Sequence, residues 1–195
     1  NAVRYLLDGN MEFRDDISRA ERIIEARKLH SQRFFNDIAG NWDGLKREII
    51  GPFDLAGHIL KDVDKCAVGV DLGCGTGELL GAMRHHAQTV IGVDNSPRML
   101  EEARKKFNDG DNVDIRLGEL EHLPLGDGEA DFAVISLVMQ YLARPQDAIA
   151  EVSRILKPGG IFIIADFQKH GHEELREKFG ARWLGFDPGD IENWI

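Results

Sequence analysis

The chain has 195 residues, enough for one well-buried core and few for two, with 43% hydrophobic and 30% charged residues in the ordinary proportions of a globular domain. Acids outnumber bases 34 to 24, a net charge of −10, which argues against direct contact with nucleic acid; no apolar run approaches the roughly 20 residues needed to cross a bilayer. Cys66 and Cys74 make no disulfide framework, and with no signal-peptide pattern after Asn1 the expected location is cytoplasmic.

Residues 1–62 lack strand-like runs. From Ala20 an apolar stripe through Ile23, Ile24, Phe34, Phe35 and Ile38 predicts an amphipathic helix, and Gly51-Pro52 punctuates a second helical region running towards Leu60. These residues form an N-terminal helical extension, expected to act as a lid and a homodimer contact. From residue 63 the pattern becomes that of an α/β unit, residues 63–195. β-rich runs at Val68–Leu72, Thr89–Val93, Val113–Leu117, Phe132–Val138 and Ile161–Phe167 alternate with helical stretches. Ser96-Pro97 caps one helix; another begins near Pro145 and stops at Lys157-Pro158-Gly159-Gly160. Such alternation predicts a doubly wound, mostly parallel α/β sheet of Rossmann-like form.

The segment Asp71-Leu72-Gly73-Cys74-Gly75-Thr76-Gly77-Glu78 runs from a strand through a glycine-rich turn into a helix, where a missing Cβ lets a ligand approach the backbone. Asp94 closes the second strand, 21 residues beyond Gly73, where such folds place a carboxylate on ribose hydroxyls. A dinucleotide loop of the form G-x-G-x-x-G needs glycine at 78; Glu78 stands there and would meet a pyrophosphate with negative charge. An NAD-dependent dehydrogenase is thereby disfavoured. A ligand with a sulfonium and an amino-acid end tolerates these acids.

These motifs resemble those of the class I S-adenosylmethionine (SAM) dependent methyltransferases, from about Phe34 to the end of the chain. The resemblance implies that Gly73, Cys74, Gly75 and Gly77 with Asp71 hold the methionine part of SAM. It places Asp94 and Asn95 at the ribose, Met99 against adenine, and Gly118, Glu119 and Leu120 at the adenine edge. Ser136 to Leu142 resembles the segment beside the transferable methyl, and Leu156-Lys157-Pro158-Gly159-Gly160 the turn before the fifth strand. The flanking Phe34-Phe35, Trp42-Asp43, Asp166-Phe167, His170, Arg182 and Leu184-Gly185-Phe186 resemble methyltransferases fused behind ArsR-type regulators, with residues 1–30 as the connecting helix. That layout ends in an antiparallel strand pair, for which no residues remain after Ile195, so the domain is expected to be incomplete at its C-terminus.

The implied activity is methyl transfer from SAM to an unidentified small molecule, leaving S-adenosylhomocysteine; the alternative is a SAM-binding sensor without turnover. No catalytic residue is forced. Tyr141, His122 and His170 are the candidate bases, with Tyr141 equally readable as core. Phe34, in the helical extension, is a candidate wall of the SAM pocket, where an aromatic face near a sulfonium contributes about 0.5–2 kcal/mol. His170, His172, Glu173 and Glu174 read as a cap and a solvated face, so no metal is expected.

Overall fold

A computed structural model describes residues 11–195, with side chains from residue 16 onward. Three helices come first. The 28-residue α1 (Met11–Ile38) leads through a 3-10 turn (Ala39–Asn41) into α2 (Trp42–Ile50), and α3 (Leu55–Leu60) follows. Asp54 caps α3 by accepting from the Gly57 N–H at 2.9 Å. Ile17 and Ile23, in the first half of α1, stay exposed, as does Leu29 on the side of the helix turned from the body.

Strands and helices then alternate: β1 (Cys66–Leu72), α4 (Glu78–Met83), β2 (Ala87–Asp94), α5 (Pro97–Arg104), β3 (Val113–Leu117), β4 (Ala130–Ser136), a 3-10 turn (Met139–Tyr141), α6 (Pro145–Ile155) and β5 (Leu156–Ala165). Short helices α7 (Glu174–Phe179) and α8 (Pro188–Glu192) follow. The strands lie in the order β3-β2-β1-β4-β5, every pair parallel. Among the described residues no antiparallel strand pair follows β5.

Alternation along the strands divides the core between the two faces. Val70, Leu72, Ala133 and Ile135 point at Ile149, Val152 and Ile155 of α6; Val90, Phe132 and Val134 point at Leu79, Leu80, Met83 and Leu100 of α4 and α5. Gly69 has no side chain because Phe132 lies across it, 2.3 Å from where a Cβ would stand.

The strand boundaries differ from the sequence expectation, most of all at β4 and β5. β4 stops at Ser136, short of Val138, because Leu137 turns into the left-handed region with φ 58°. β5 begins at Leu156, pairing with Ala130 across a bulge, so the Lys157–Gly160 segment is threaded into the strand; the strand ends at Ala165, where Asp166 bonds its own neighbour's N–H.

Candidate active site

β1 has β2 on one side and β4 on the other, and the chain leaves their ends in opposite directions, opening a crevice at the carboxyl end of β1. A cleft of about 1050 Å³, open mouth included, occupies it. The glycine loop forms its floor. Gly73, Gly75 and Gly77 all have positive φ, at 76°, 52° and 77°, and the N–H groups of Gly73 and Cys74 both donate to Val93 O, at 2.7 and 3.0 Å. A Cβ on Gly73 would stand 2.4 Å from Val138 Cγ2.

Two carboxylates flank this loop. Asp94 Oδ2 accepts from the Gly75 N–H at 2.9 Å and Oδ1 from the Ser96 N–H at 2.8 Å, tying the glycine loop to the start of α5. Loss of water around it raises its pKa, and those N–H groups pull it back. Asp71, 3% exposed, is pushed up to about 7 by burial, with Asp94 adding to the rise and Lys46 opposing it. Its carboxyl lines the cleft and accepts no hydrogen bond from a described side chain, leaving it free for a cationic ligand group. Cys74 is buried beside the same acids, and its thiol is raised well above the ordinary range, so it stays protonated and unreactive.

The roof comes from α1 and α2. Lys28, Gln32 and Asn36 recur every four residues on one face of α1. Lys28 bridges Glu119 at 3.0 Å and Glu121 at 3.3 Å, Gln32 donates to Asn95 O at 2.6 Å, and Asn36 accepts from Ser96 Oγ at 2.8 Å and Arg98 N at 3.3 Å. From α2, Asp43 accepts from Thr76 Oγ1 and from Lys106 Nζ, and Lys46 pairs with Glu78 at 3.0 Å. The Trp42 indole Nε1 hangs 3.4 Å from where a Cβ on Gly75 would lie.

At the other end Ser136, Leu137 and Val138 lead to Tyr141. Phe35 meets Trp42 and Tyr141 edge to face, with centroids 5.4 and 4.8 Å away, so three rings wall this end.

A family model described as a methyltransferase domain matches residues 70–164, the segment that builds this floor and both acids. Residues 70–164 are a methyltransferase domain. The chain is 32% identical over 160 residues to the demethylmenaquinone methyltransferase of Symbiobacterium thermophilum, covering 77% of the chain and 59% of the relative. It is 30% identical over 147 residues to the malonyl-[acyl-carrier protein] O-methyltransferase of Serratia marcescens, covering 70% and 55%. The chain thus spans little more than half the length of these two curated relatives. Among solved structures, the methyltransferase in complex with the Haloferax volcanii Trm112 methyltransferase activator superposes with a TM-score of 0.68 at 27% identity, covering 82% of this chain and 73% of that one.

The methyltransferase domain brings Asp71, Gly73, Cys74, Gly75, Asp94 and Asn95 to the cleft wall, together with Met99, Glu119, Leu120, Ser136 and Tyr141. Gly77, Gly118 and Phe34 stand behind it. Gly77 starts α4 and lies close to Phe107 and Ala103, Gly118 is crowded by Pro124 and Val93, and Phe34 packs on Phe35, which takes the wall position. His122 is exposed and turned towards Glu151, closing the 119–122 turn through its N–H to Glu119 O. His170 lies edge-on to Phe167, its Nδ1 accepting from the His172 N–H, and does not line the cleft. Lys28, Ser31, Lys46 and Thr76 also line the domain's cleft and were not singled out. A lysine on an amphipathic helix reads as a solvated face until the fold sets an acid opposite it. Thr76, inside the glycine motif, carried the plainest signal.

Proposed function

We propose that this protein transfers the methyl group of SAM to a small molecule, residues 63–195 holding SAM and residues 1–62 closing over it. The observation carrying this reading is the convergence of Asp71, Asp94 and the three left-handed glycines under an aromatic roof. The residues fit the group. Asp71 offers a desolvated carboxyl to the methionine ammonium, and Asp94 has acceptor capacity beyond its two N–H partners for ribose hydroxyls. Met99 and Leu120 form an apolar slot for adenine, with Glu119 beside it.

SAM supplies an activated methyl on a sulfonium that a nucleophile displaces in line. The protein's part is placement: holding acceptor and methyl in attack geometry is worth about 7–11 kcal/mol in well-oriented systems. Phe35, Trp42 and Tyr141 exclude water and present aromatic faces to positive charge. The resemblance to ArsR-fused enzymes extends the proposal to a regulator preceding the domain in a cytoplasmic protein. A second copy meeting α1 along Ile17, Ile23 and Leu29 is the dimer this suggests.

The test is incubation with radiolabelled SAM and a metabolite extract. Labelled methyl in a small-molecule product with stoichiometric S-adenosylhomocysteine supports the proposal. Tight binding of SAM without turnover favours the sensor reading, to which the Lys28, Gln32 and Asn36 contacts lend themselves, since each joins α1 to a loop of the proposed cofactor site.

A further inference from the structure

The α2 helix is docked on the glycine loop at three successive points. Trp42 hangs over Gly75, Asp43 accepts from Thr76 Oγ1, and Lys46 Nζ lies 3.0 Å from Glu78 Oε2. Residues 42 and 43 stand four and three positions before 46, the spacings that bring side chains to one side of a helix. One docking therefore sets all three, and it carries Lys46 to the cleft wall together with Asp71 and the glycine loop.

Among the described residues two cations line the cleft, Lys28 and Lys46. Lys28 is held between Glu119 and Glu121, at 3.0 and 3.3 Å. Lys46 is less committed. Its side chain is 18% exposed, but that of its partner Glu78 is 56% exposed, and an ion pair with so open a carboxylate is worth little. An ammonium has three N–H donors, of which Glu78 occupies one. Asp71, on the same wall, is buried and accepts no hydrogen bond from a described side chain. Burial raises its pKa, and the next largest influence on it is the opposing charge of Lys46. The wall thus offers a carboxyl without a partner and, within charge range of it, an ammonium with donors to spare. An α-amino acid carries the complementary pair, ammonium and carboxylate on a single carbon.

We propose that Lys46 is the partner of the cofactor's carboxylate, leaving Glu78 for it when the amino-acid end of SAM enters beside Asp71. The exchange gives up one weak, half-exposed pair and forms a covered, charge-assisted one. It also ties α2 to the ligand, so that the helix carrying Trp42 is fixed by the cofactor itself. Long-range charge works against such a preference, because a chain of net charge −10 favours the more positive of two ligands. Preference for a ligand that keeps its carboxylate therefore reports a local cation.

This inference rests on the methyl-transfer reading, and the two fail differently. The probes are S-adenosylhomocysteine and S-adenosyl-3-thiopropylamine, the same body with and without the carboxylate, titrated into the native protein by calorimetry. Binding of neither removes the methyl-transfer reading and this inference with it. The expected result is binding of S-adenosylhomocysteine tighter by about tenfold or more. Lys46→Met keeps the side-chain stem without the charge; it should reduce the preference to about twofold while holding the amine within about twofold of its native affinity, and Lys46→Arg should restore most of the preference. Glu78→Gln, which frees Lys46, should tighten S-adenosylhomocysteine several-fold. Binding of both probes alike by the native protein overturns the proposal alone, as does a preference that survives in Lys46→Met. Equal weakening of both probes in Lys46→Met overturns it too, since that is the mark of a merely structural lysine, and weaker or unchanged binding in Glu78→Gln contradicts the exchange.

Discussion

Asp71 sets the pH range over which the cleft attracts a cation. Its folded pKa of about 7 lies above that of an unfolded carboxylate. Its burial is therefore accommodated at low pH, and that stability is lost as pH rises through about 7. The proposed binding of the SAM ammonium would run the other way, since only the ionised carboxyl pairs with a cation. The dissociation constant for SAM is expected to weaken about tenfold per pH unit below 7, and Asp71→Asn to bind weakly without that slope; calorimetry between pH 5 and 8 measures both. Gly73 is constrained twice, by φ 76° and by Val138. Gly73→Ala should cost about 1–2 kcal/mol from the left-handed backbone alone, with more from the clash, and should abolish the SAM-induced rise in melting temperature. The glycines and both acids were legible because each requirement is local to a strand end. Phe35 was harder to separate from Phe34: adjacent residues on a helix differ by about 100° in direction, and only the docked helix decides which ring meets the cleft.

The α1 helix spans more of the cleft than its apolar stripe suggests. Lys28, Gln32 and Asn36 join it to residues 60 to 91 positions away, and no local pattern announces partners so distant. Ser96 shows the contrast: its cap on the Met99 N–H at 3.1 Å was readable from Ser-Pro, whereas its hydroxyl's donation to Asn36 was not. Asn36→Ala leaves that hydroxyl and the Arg98 N–H to find other partners and should cost about 1–2 kcal/mol, visible as a lower denaturation midpoint with unchanged slope. Lys28→Ala removes a partly exposed ion pair and should change stability by less than about 1 kcal/mol. A several-fold loss of SAM affinity in Lys28→Ala would mark the α1 contact as part of the binding site. The β4 and β5 boundaries were misplaced for a related reason, since the strained Leu137 and the Ala130–Leu156 bulge arise from the pairing of two strands.

Across the whole molecule, the order β3-β2-β1-β4-β5 puts every element of the proposed site at one end of the sheet. The far face is held in part by Arg154, which bonds Glu151, Asp127 and the carbonyls of Leu123 and Leu125. Arg154 holds the Glu151 carboxyl down at about 2. That contribution is present above the ordinary carboxylate range and is lost as pH falls towards 2, so Arg154→Ala should flatten the acid limb of the stability curve followed by circular dichroism. The doubly wound form was legible from alternating β-rich and helical runs, because both faces of a parallel sheet must be buried and its strands read as apolar runs. The nature of the proposed methyl acceptor was not, since the rings that wall that end of the cleft, Phe35, Trp42 and Tyr141, are separated in sequence and joined only by folding. The most direct measurement of the cofactor site is a thermal melt with SAM, S-adenosylhomocysteine and NAD, each at about 100 times a micromolar dissociation constant. Both sulfur ligands should stabilise by about 2.7 kcal/mol, a rise of roughly 5–11 °C for a chain of this size, and NAD should do nothing. A rise with NAD, or none with either sulfur ligand in a folded sample, would contradict the account.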